Sequence, residues 1–194
     1  MSDATKIKVV GFGGVAGSGK STAAKGLEAY GFRRAKFAGA LKEMLRALLR
    51  YRGASPRTIE RMLEGDLKET PSRFLNGATP RRAMQTLGTE WGRDLIDPNL
   101  WVDTESDHWQ KIAMREGSLE IAYDDVRLPN EAASIHARGG IVIGIEREGA
   151  GSATGASHSS EARNFEPDVV IRNVGSEADF TEAVADAVAY YAWT

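Results

Sequence analysis

The sequence predicts an α/β fold of three layers around a central, mostly parallel sheet of about five strands. Three observations predict it. Short β-branched or apolar runs alternate with helical patterns along the chain. The first run, residues 6–11 (KIKVVG), ends in glycines that force a turn into a helix. The 194 residues, 42% apolar and 27% charged, have the ordinary composition of a globular chain able to bury one core.

The elements follow in order. After the first strand, residues 21–30 read as a helix closed by Gly31. Residues 32–37 form a weak second strand. Leu41, Met44, Leu45, Leu48 and Leu49 recur at helical spacing over residues 40–50. Ser55-Pro56 starts another helix with Ile59, Met62 and Leu63 on one face. Residues 65–79, with Pro71, Asn76 and Gly77, are irregular. Thr79-Pro80 is a helix start, a hydroxyl cap followed by proline in the first turn, and that helix runs to about residue 96. Pro98 punctuates, and residues 100–115 are helical. Residues 119–123 are a strand ending in Asp124-Asp125, 130–138 a helix, 141–145 and 169–171 strands. Phe180, Val184, Val188 and Tyr191 mark a closing helix. No repeat and no linker divides the chain, so 1–194 is expected to be one domain.

Composition excludes several functions. Twenty-five basic against 27 acidic residues leave no basic excess for general nucleic-acid binding. The absence of cysteine removes disulfides, thiolate nucleophiles, iron–sulfur clusters and cysteine-based zinc sites. No run reaches the roughly 18 apolar residues of a membrane helix, and the polar start lacks a signal peptide's apolar stretch. The expectation is a complete, cytoplasmic chain with neither nucleic acid nor membrane as partner.

The strongest motif is Gly14-Val15-Ala16-Gly17-Ser18-Gly19-Lys20-Ser21, a G-x-x-x-x-G-K-[ST] match between a strand and a helix. Glycines let successive backbone N–H groups turn inward around a phosphate. Lys20 can reach β- and γ-phosphate oxygens, and the Ser21 hydroxyl can bind Mg²⁺. Residues 16–22, that is Ala16, Gly17, Ser18, Gly19, Lys20, Ser21 and Thr22, are therefore the expected ATP phosphate site. An overlapping G-x-G-x-x-A match, Gly11 to Ala16, suits a dinucleotide. It lacks the acidic residue about 20 positions on, where Arg33-Arg34-Ala35-Lys36 stands, and leaves Lys20 and Ser21 without a role.

Asp124 and Asp125 close a buried strand, where phosphate-loop enzymes hold the acid that organises Mg²⁺, and Arg127 follows two residues later. In the helix from Thr79, Met84, Leu87, Trp91 and Leu95 form one stripe, most simply a core face. Arg81, Gln85, Gly88 and Gly92 lie along another. Two interior glycines cost about 1 kcal/mol each relative to alanine, so close approach of a ligand or a neighbouring backbone should compensate. Glu90 and Arg93 point elsewhere unless the helix breaks near Gly88. None of the three histidines is expected to be catalytic: His108 and His136 read as polar-face helix residues, and His158 lies in the low-complexity stretch 149–160.

Taken in sequence, FAGALK (37–42), GDLKETP (65–71), RRAMQTLGTEWGR (81–93), Trp101-Val102, DVRLPNE (125–131), HSSE (158–161) and Asn173-Val174-Gly175 resemble the deoxynucleoside monophosphate kinases of tailed bacteriophages. The resemblance spans nearly the whole chain. It implies a P-loop kinase fold of the nucleoside monophosphate kinase type, with a helical monophosphate-binding region at about 39–116 and a lid at about 147–165. It implies Mg²⁺-dependent transfer of the ATP γ-phosphoryl group to a deoxynucleoside monophosphate, in the service of DNA precursor supply, in the host cytoplasm if the gene is carried by a phage. By the same resemblance Asp125, rather than Asp124, joins Ser21 at the metal. Lys20, Asp125, Arg127 and Arg147 are the expected catalytic set. Phe37, Lys42, Arg81, Gln85, Arg93, Trp101 and Arg127 would face the acceptor, and Asn173 and Gly175 the adenine. Ser21 stands where many relatives carry aspartate, and Leu128 where an aromatic is common.

Three other readings stay open at this point: a P-loop kinase for another acceptor such as dephospho-coenzyme A, a non-catalytic nucleotide switch, and an NADP-linked reductase. Tyr190 and Trp193 suit a homodimer contact as well as ordinary packing of the closing helix.

Overall fold

The computed structural model describes residues 7–151 and 164–191. Two compact units separate: one formed by the chain up to Phe37 and from Ser106 onward, the other by Ala38–Glu105.

The first unit is built on five parallel strands in the order β2-β3-β1-β4-β5. They are β1 (Ile7–Gly13), β2 (Arg33–Ala35), β3 (Leu119–Val126), β4 (Ile141–Glu146) and β5 (Val169–Arg172). The expected parallel sheet is thus present. β1 lies at its centre, buried on both faces, which is why it reads as a continuous apolar run. Its Val10 and Phe12 pack with Ala23, Ala24 and Leu27 and with Phe180, Val184 and Val188. Those side chains come from α1 (Lys20–Gly26) with the 3₁₀ turn Leu27–Tyr30, and from α7 (Glu177–Tyr191). The opposite face is covered by α6 (Pro129–His136), so closely that a Cβ on Gly11 would come 2.4 Å from Ile135 Cδ1. Strand alternation on a buried sheet therefore yields helix, sheet and helix layers.

β3 runs on to Val126, past the expected end at residue 123. Its register against β1 shifts from Gly11↔Tyr123 to Gly13↔Val126. Phe12 therefore faces both Asp124 and Asp125, a bulge of the kind that re-aims side chains beside functional sites.

The second unit is helical. It holds α2 (Gly39–Tyr51), α3 (Pro56–Leu63), a 3₁₀ turn at Arg73–Leu75, α4 (Pro80–Thr86) and a π-helical segment, Leu87–Ile96. α5 (Leu100–Glu116) begins here and continues in the sheet unit. Ser55 and Thr79 cap α3 and α4, accepting the N–H groups of Thr58 and Arg82 at 3.2 Å each. Leu41, Leu45, Leu49, Ile59, Met62, Leu63 and Trp101 form the core.

The apolar stripe expected on the helix from Thr79 is corrected here. Met84 and Leu87 pack on this core, but Trp91 is 39% and Leu95 75% exposed. From Leu87 the winding loosens to i→i+5, so a stripe of residues four apart drifts round the axis and has turned to solvent by Leu95. Gly88 and Gly92 turn inward instead.

Tyr190 is exposed and meets Tyr191 edge-on. Trp193, His158 and residues 152–163 of the expected lid lie outside the described residues.

Candidate active site

The phosphate loop leaves the C-terminal end of β1 and enters α1. Gly14, Gly17 and Gly19 have φ of 147°, 79° and 112°, a region that side chains rarely adopt. At Gly14 and Gly19 space forbids a side chain as well. A Cβ on Gly14 would lie 2.4 Å from the Ile145 carbonyl oxygen, and one on Gly19 2.3 Å from Asn173 Nδ2. No side chain caps α1, because its N-cap is Gly19. The first-turn amides are thereby left for a ligand, as anion-binding loops require.

Lys20 Nζ donates to the carbonyls of Gly14 and Val15, both at 2.7 Å. The ammonium is thus held over its own loop. Ser18 is fully buried, and its hydroxyl is the one buried side-chain polar atom without a hydrogen-bond partner among the described residues. Asn173, just after β5, donates from Nδ2 to the Ser18 carbonyl at 2.8 Å, and its own N–H bonds the Glu146 carbonyl at 2.7 Å. The side chain expected near adenine therefore also braces the loop. Ser21 is exposed, Thr22 half-buried, and Gly175 has φ 79° after β5.

The two aspartates of the bulge part company. Asp124 is buried and 3.3 Å from Arg34 Nη2, at the sheet edge. Asp125 is half-buried, and its Oδ1 accepts the Phe37 N–H at 2.9 Å. Phe37 itself is buried and stacks on Tyr123, ring centroids 4.2 Å apart. Glu131, buried at the third position of α6, accepts the N–H groups of Arg127 and Leu128 at 2.7 and 3.0 Å. This half of a capping box fixes the turn that carries Arg127. Arg127 and Arg147 are exposed, and neither side chain has an ion-pair partner among the described residues.

In the helical unit each cation expected at the acceptor meets an acid or a hydroxyl. Lys42 Nζ is 2.7 Å from Glu64 Oε1, with 10% of its side chain exposed. Arg81 Nε is 2.6 Å from Glu69 Oε1. Arg93 Nη1 donates to Thr89 Oγ1 at 3.3 Å, and Gln85 is exposed. Trp101 is buried. Its Nε1–H donates to the Gly88 carbonyl at 2.8 Å, and its ring lies where a Cβ on Gly92 would be, 2.6 Å away. The indole accounts for the glycine at Gly92, and the described geometry gives Trp101 a packing role.

Sequence reasoning passed over Arg46. One helical turn beyond Lys42, it binds Glu60 at 2.7 Å, Glu43 at 2.8 Å and Glu64 at 3.7 Å. Its guanidinium holds the Glu60 carboxyl below the usual range. The i,i+4 spacing from Lys42 was the available signal. His136 Nε2 is also partnered, 2.8 Å from Asp168 Oδ2.

A glycine-lined loop leaving the central strand of a five-stranded parallel sheet, with a lysine and a serine opening the next helix, defines the P-loop NTPase fold. A solved Thermus thermophilus protein has the same fold, with a TM-score of 0.52 at 17% identity over 95% of this chain and 97% of that one. A *Campylobacter jejuni* dephospho-CoA kinase superposes with a TM-score of 0.49 at 14% identity, over 94% and 96% of the two chains. The deoxynucleotide monophosphate kinase family model matches residues 58–184. A protein of Acanthamoeba polyphaga mimivirus, provisionally named a deoxynucleotide monophosphate kinase, is 30% identical over 93% of this chain and 95% of its own length. The chain belongs to the deoxynucleotide monophosphate kinase family, and it is a nucleoside monophosphate kinase.

Proposed function

We propose that the enzyme transfers the γ-phosphoryl group of ATP to a deoxynucleoside monophosphate, with Mg²⁺, yielding ADP and a deoxynucleoside diphosphate. An acceptor phosphate oxygen forms the new bond to the γ-phosphorus while the bond to the β,γ-bridging oxygen breaks. The observation that carries this reading is the phosphate loop: glycines at positive φ, a buried Ser18 hydroxyl without a partner, and Lys20 at its mouth. A cradle of this kind fits a polyphosphate tail.

Transfer between two anions needs positioning and charge neutralisation more than a base. Lys20 and the loop amides of residues 16–22 supply both to the β- and γ-phosphates. Ser21 and Asp125 are the residues to hold Mg²⁺, with Asp125 already oriented by the Phe37 N–H. A cation of this type keeps several waters and takes few protein ligands. Bound there, Mg²⁺ would supply further charge neutralisation. Arg127 and Arg147 extend guanidinium groups that have no ion-pair partner among the described residues, suited to the migrating charge. Lys42, Arg81, Gln85 and Arg93 receive the acceptor, with Phe37 at its base. Asn173 and Gly175 border the adenine.

The test is diphosphate formation from ATP, Mg²⁺ and each deoxynucleoside monophosphate in turn, with dephospho-coenzyme A alongside. At least one deoxynucleotide should turn over. Nucleotide binding without any turnover would identify a switch, and phosphorylation of dephospho-coenzyme A alone would identify another kinase.

A further inference from the structure

We propose that the acids of residues 64–69 act as internal stand-ins for the acceptor phosphate, making Glu69 and Glu64 positioning residues that set acceptor affinity. The inference rests on the acceptor assignment of Lys42 and Arg81 and goes beyond it.

Within this short stretch three acids each hold a cation of the helical unit. Glu64 holds Lys42 at 2.7 Å, Asp66 holds Arg61 at 2.6 and 2.9 Å, and Glu69 holds Arg81 at 2.6 Å. Lys42 and Arg81 come from different helices, α2 and α4, yet both are met by acids of this one stretch. The Arg81 N–H donates to the Lys68 carbonyl at 2.9 Å, and the Leu67 N–H to the Arg61 carbonyl at 3.0 Å, so backbone bonds fix the stretch against α4 and α3. A carboxylate is the side-chain group whose shape and charge most resemble a phosphate to a guanidinium or ammonium.

The two pairs suit exchange in different ways. Arg81 and Glu69 are 37% and 64% exposed, so their pair is weak and readily replaced by a dianion. Lys42 is nearly enclosed, so its charge has to be met inside the unit, and Glu64 is one of the groups that meets it. Once displaced, Glu64 has a second cation within reach, Arg46 at 3.7 Å. Acceptor binding is then an exchange of anions, and its net gain is lowered by the pairs it breaks.

The experiment is Glu69→Gln, assayed with whichever common deoxynucleoside monophosphate turns over fastest, with melting as a check on folding. The acceptor KM should fall about two- to fivefold, the range of an exposed pair, with the ATP KM as internal reference. The effect should shrink at high salt. In an Arg81→Ala background Glu69→Gln should have no effect on the acceptor KM, because the partner it competes for is gone. Glu64→Gln should act in the same direction in a variant that remains folded. An acceptor KM unchanged or raised in Glu69→Gln, or persisting in the Arg81→Ala background at full size, overturns the proposal. If Arg81→Ala alone leaves the acceptor KM unmoved, the acceptor assignment itself falls and takes the proposal with it.

Discussion

Lys20 is positioned by the loop it serves. Its ammonium bonds the Gly14 and Val15 carbonyls, so its removal takes away charge and leaves the turn's glycine conformations in place. Lys20→Ala should cut turnover at least about a hundredfold, the scale of losing one preorganised electrostatic contact, while circular dichroism and melting stay near wild type. Near-normal turnover would remove the loop from the mechanism. In the helical unit, the Arg61 guanidinium pulls the Asp66 carboxyl down to about 2. A depressed carboxylate contributes stability above its unfolded value of 3.8 and loses it as pH falls towards 2. An NMR titration should place the Asp66 midpoint near 2, and Arg61→Gln should return it towards 3.8; a midpoint already ordinary in the wild type would discount the pair. Lys20 and Ser21 were legible in the sequence because the motif works through local backbone. The partners of Lys42 and Arg81, 22 and 12 positions away, and the bond from Asn173 to Ser18, 155 positions away, follow from tertiary placement that no spacing rule encodes.

Among the elements, the helix from Thr79 is the instructive one. Its cap, its proline and its end at Ile96 follow from local chemistry, and the structure has them. Its inner winding does not follow from local chemistry, and it is met there by Trp101 of the next helix. The indole needs an acceptor for its N–H and room for its ring, and Gly88 and Gly92 supply one each. With i→i+5 winding, the face that a regular helix would bury goes to solvent at Leu95. The two glycines should therefore respond differently to substitution. A Cβ at Gly88 meets the Leu41 Cδ2 methyl at 3.3 Å, a flexible group, so Gly88→Ala should lie near neutral, the helical gain of about 1 kcal/mol offsetting the contact. Gly92→Ala drives a Cβ into a fixed ring and should cost about 1–3 kcal/mol. Trp101→Phe keeps much of the ring but leaves the buried Gly88 carbonyl without its donor, at about 1–3 kcal/mol. Urea denaturation of the three variants reads these differences; equal effects at the two glycines would refute the Trp101 account. The strands were legible for the opposite reason. β1 and β4 are buried on both faces, so their apolar runs stand out, whereas β3 hid its last residues because a bulge places two aspartates within it.

For the molecule as a whole, the proposed residues fall to different units in chain order. Residues 38–105 enter between β2 and β3, which still pair directly with each other. The phosphate loop, Asp125, Arg127 and Asn173 belong to the sheet unit, and Lys42, Arg81, Gln85 and Arg93 all belong to the helical one. If the proposed assignment holds, each nucleotide is received chiefly by one unit, and ligands should stabilise the two units selectively. Binding stabilises what it contacts by mass action, about 2.7 kcal/mol at a ligand concentration a hundred times Kd, or about a hundredfold in exchange rate for amides that open with that unit. Hydrogen exchange with a non-hydrolysable ATP analogue should thus slow amides of residues 14–22 first. A deoxynucleoside monophosphate alone should slow residues 64–69 and 80–96 first. The measurement separates two arrangements that steady-state kinetics cannot, because KM values mix binding with chemistry. Acceptor protection confined to the sheet unit would place Lys42 and Arg81 outside the binding step, and their pairs with Glu64 and Glu69 would then be structural alone.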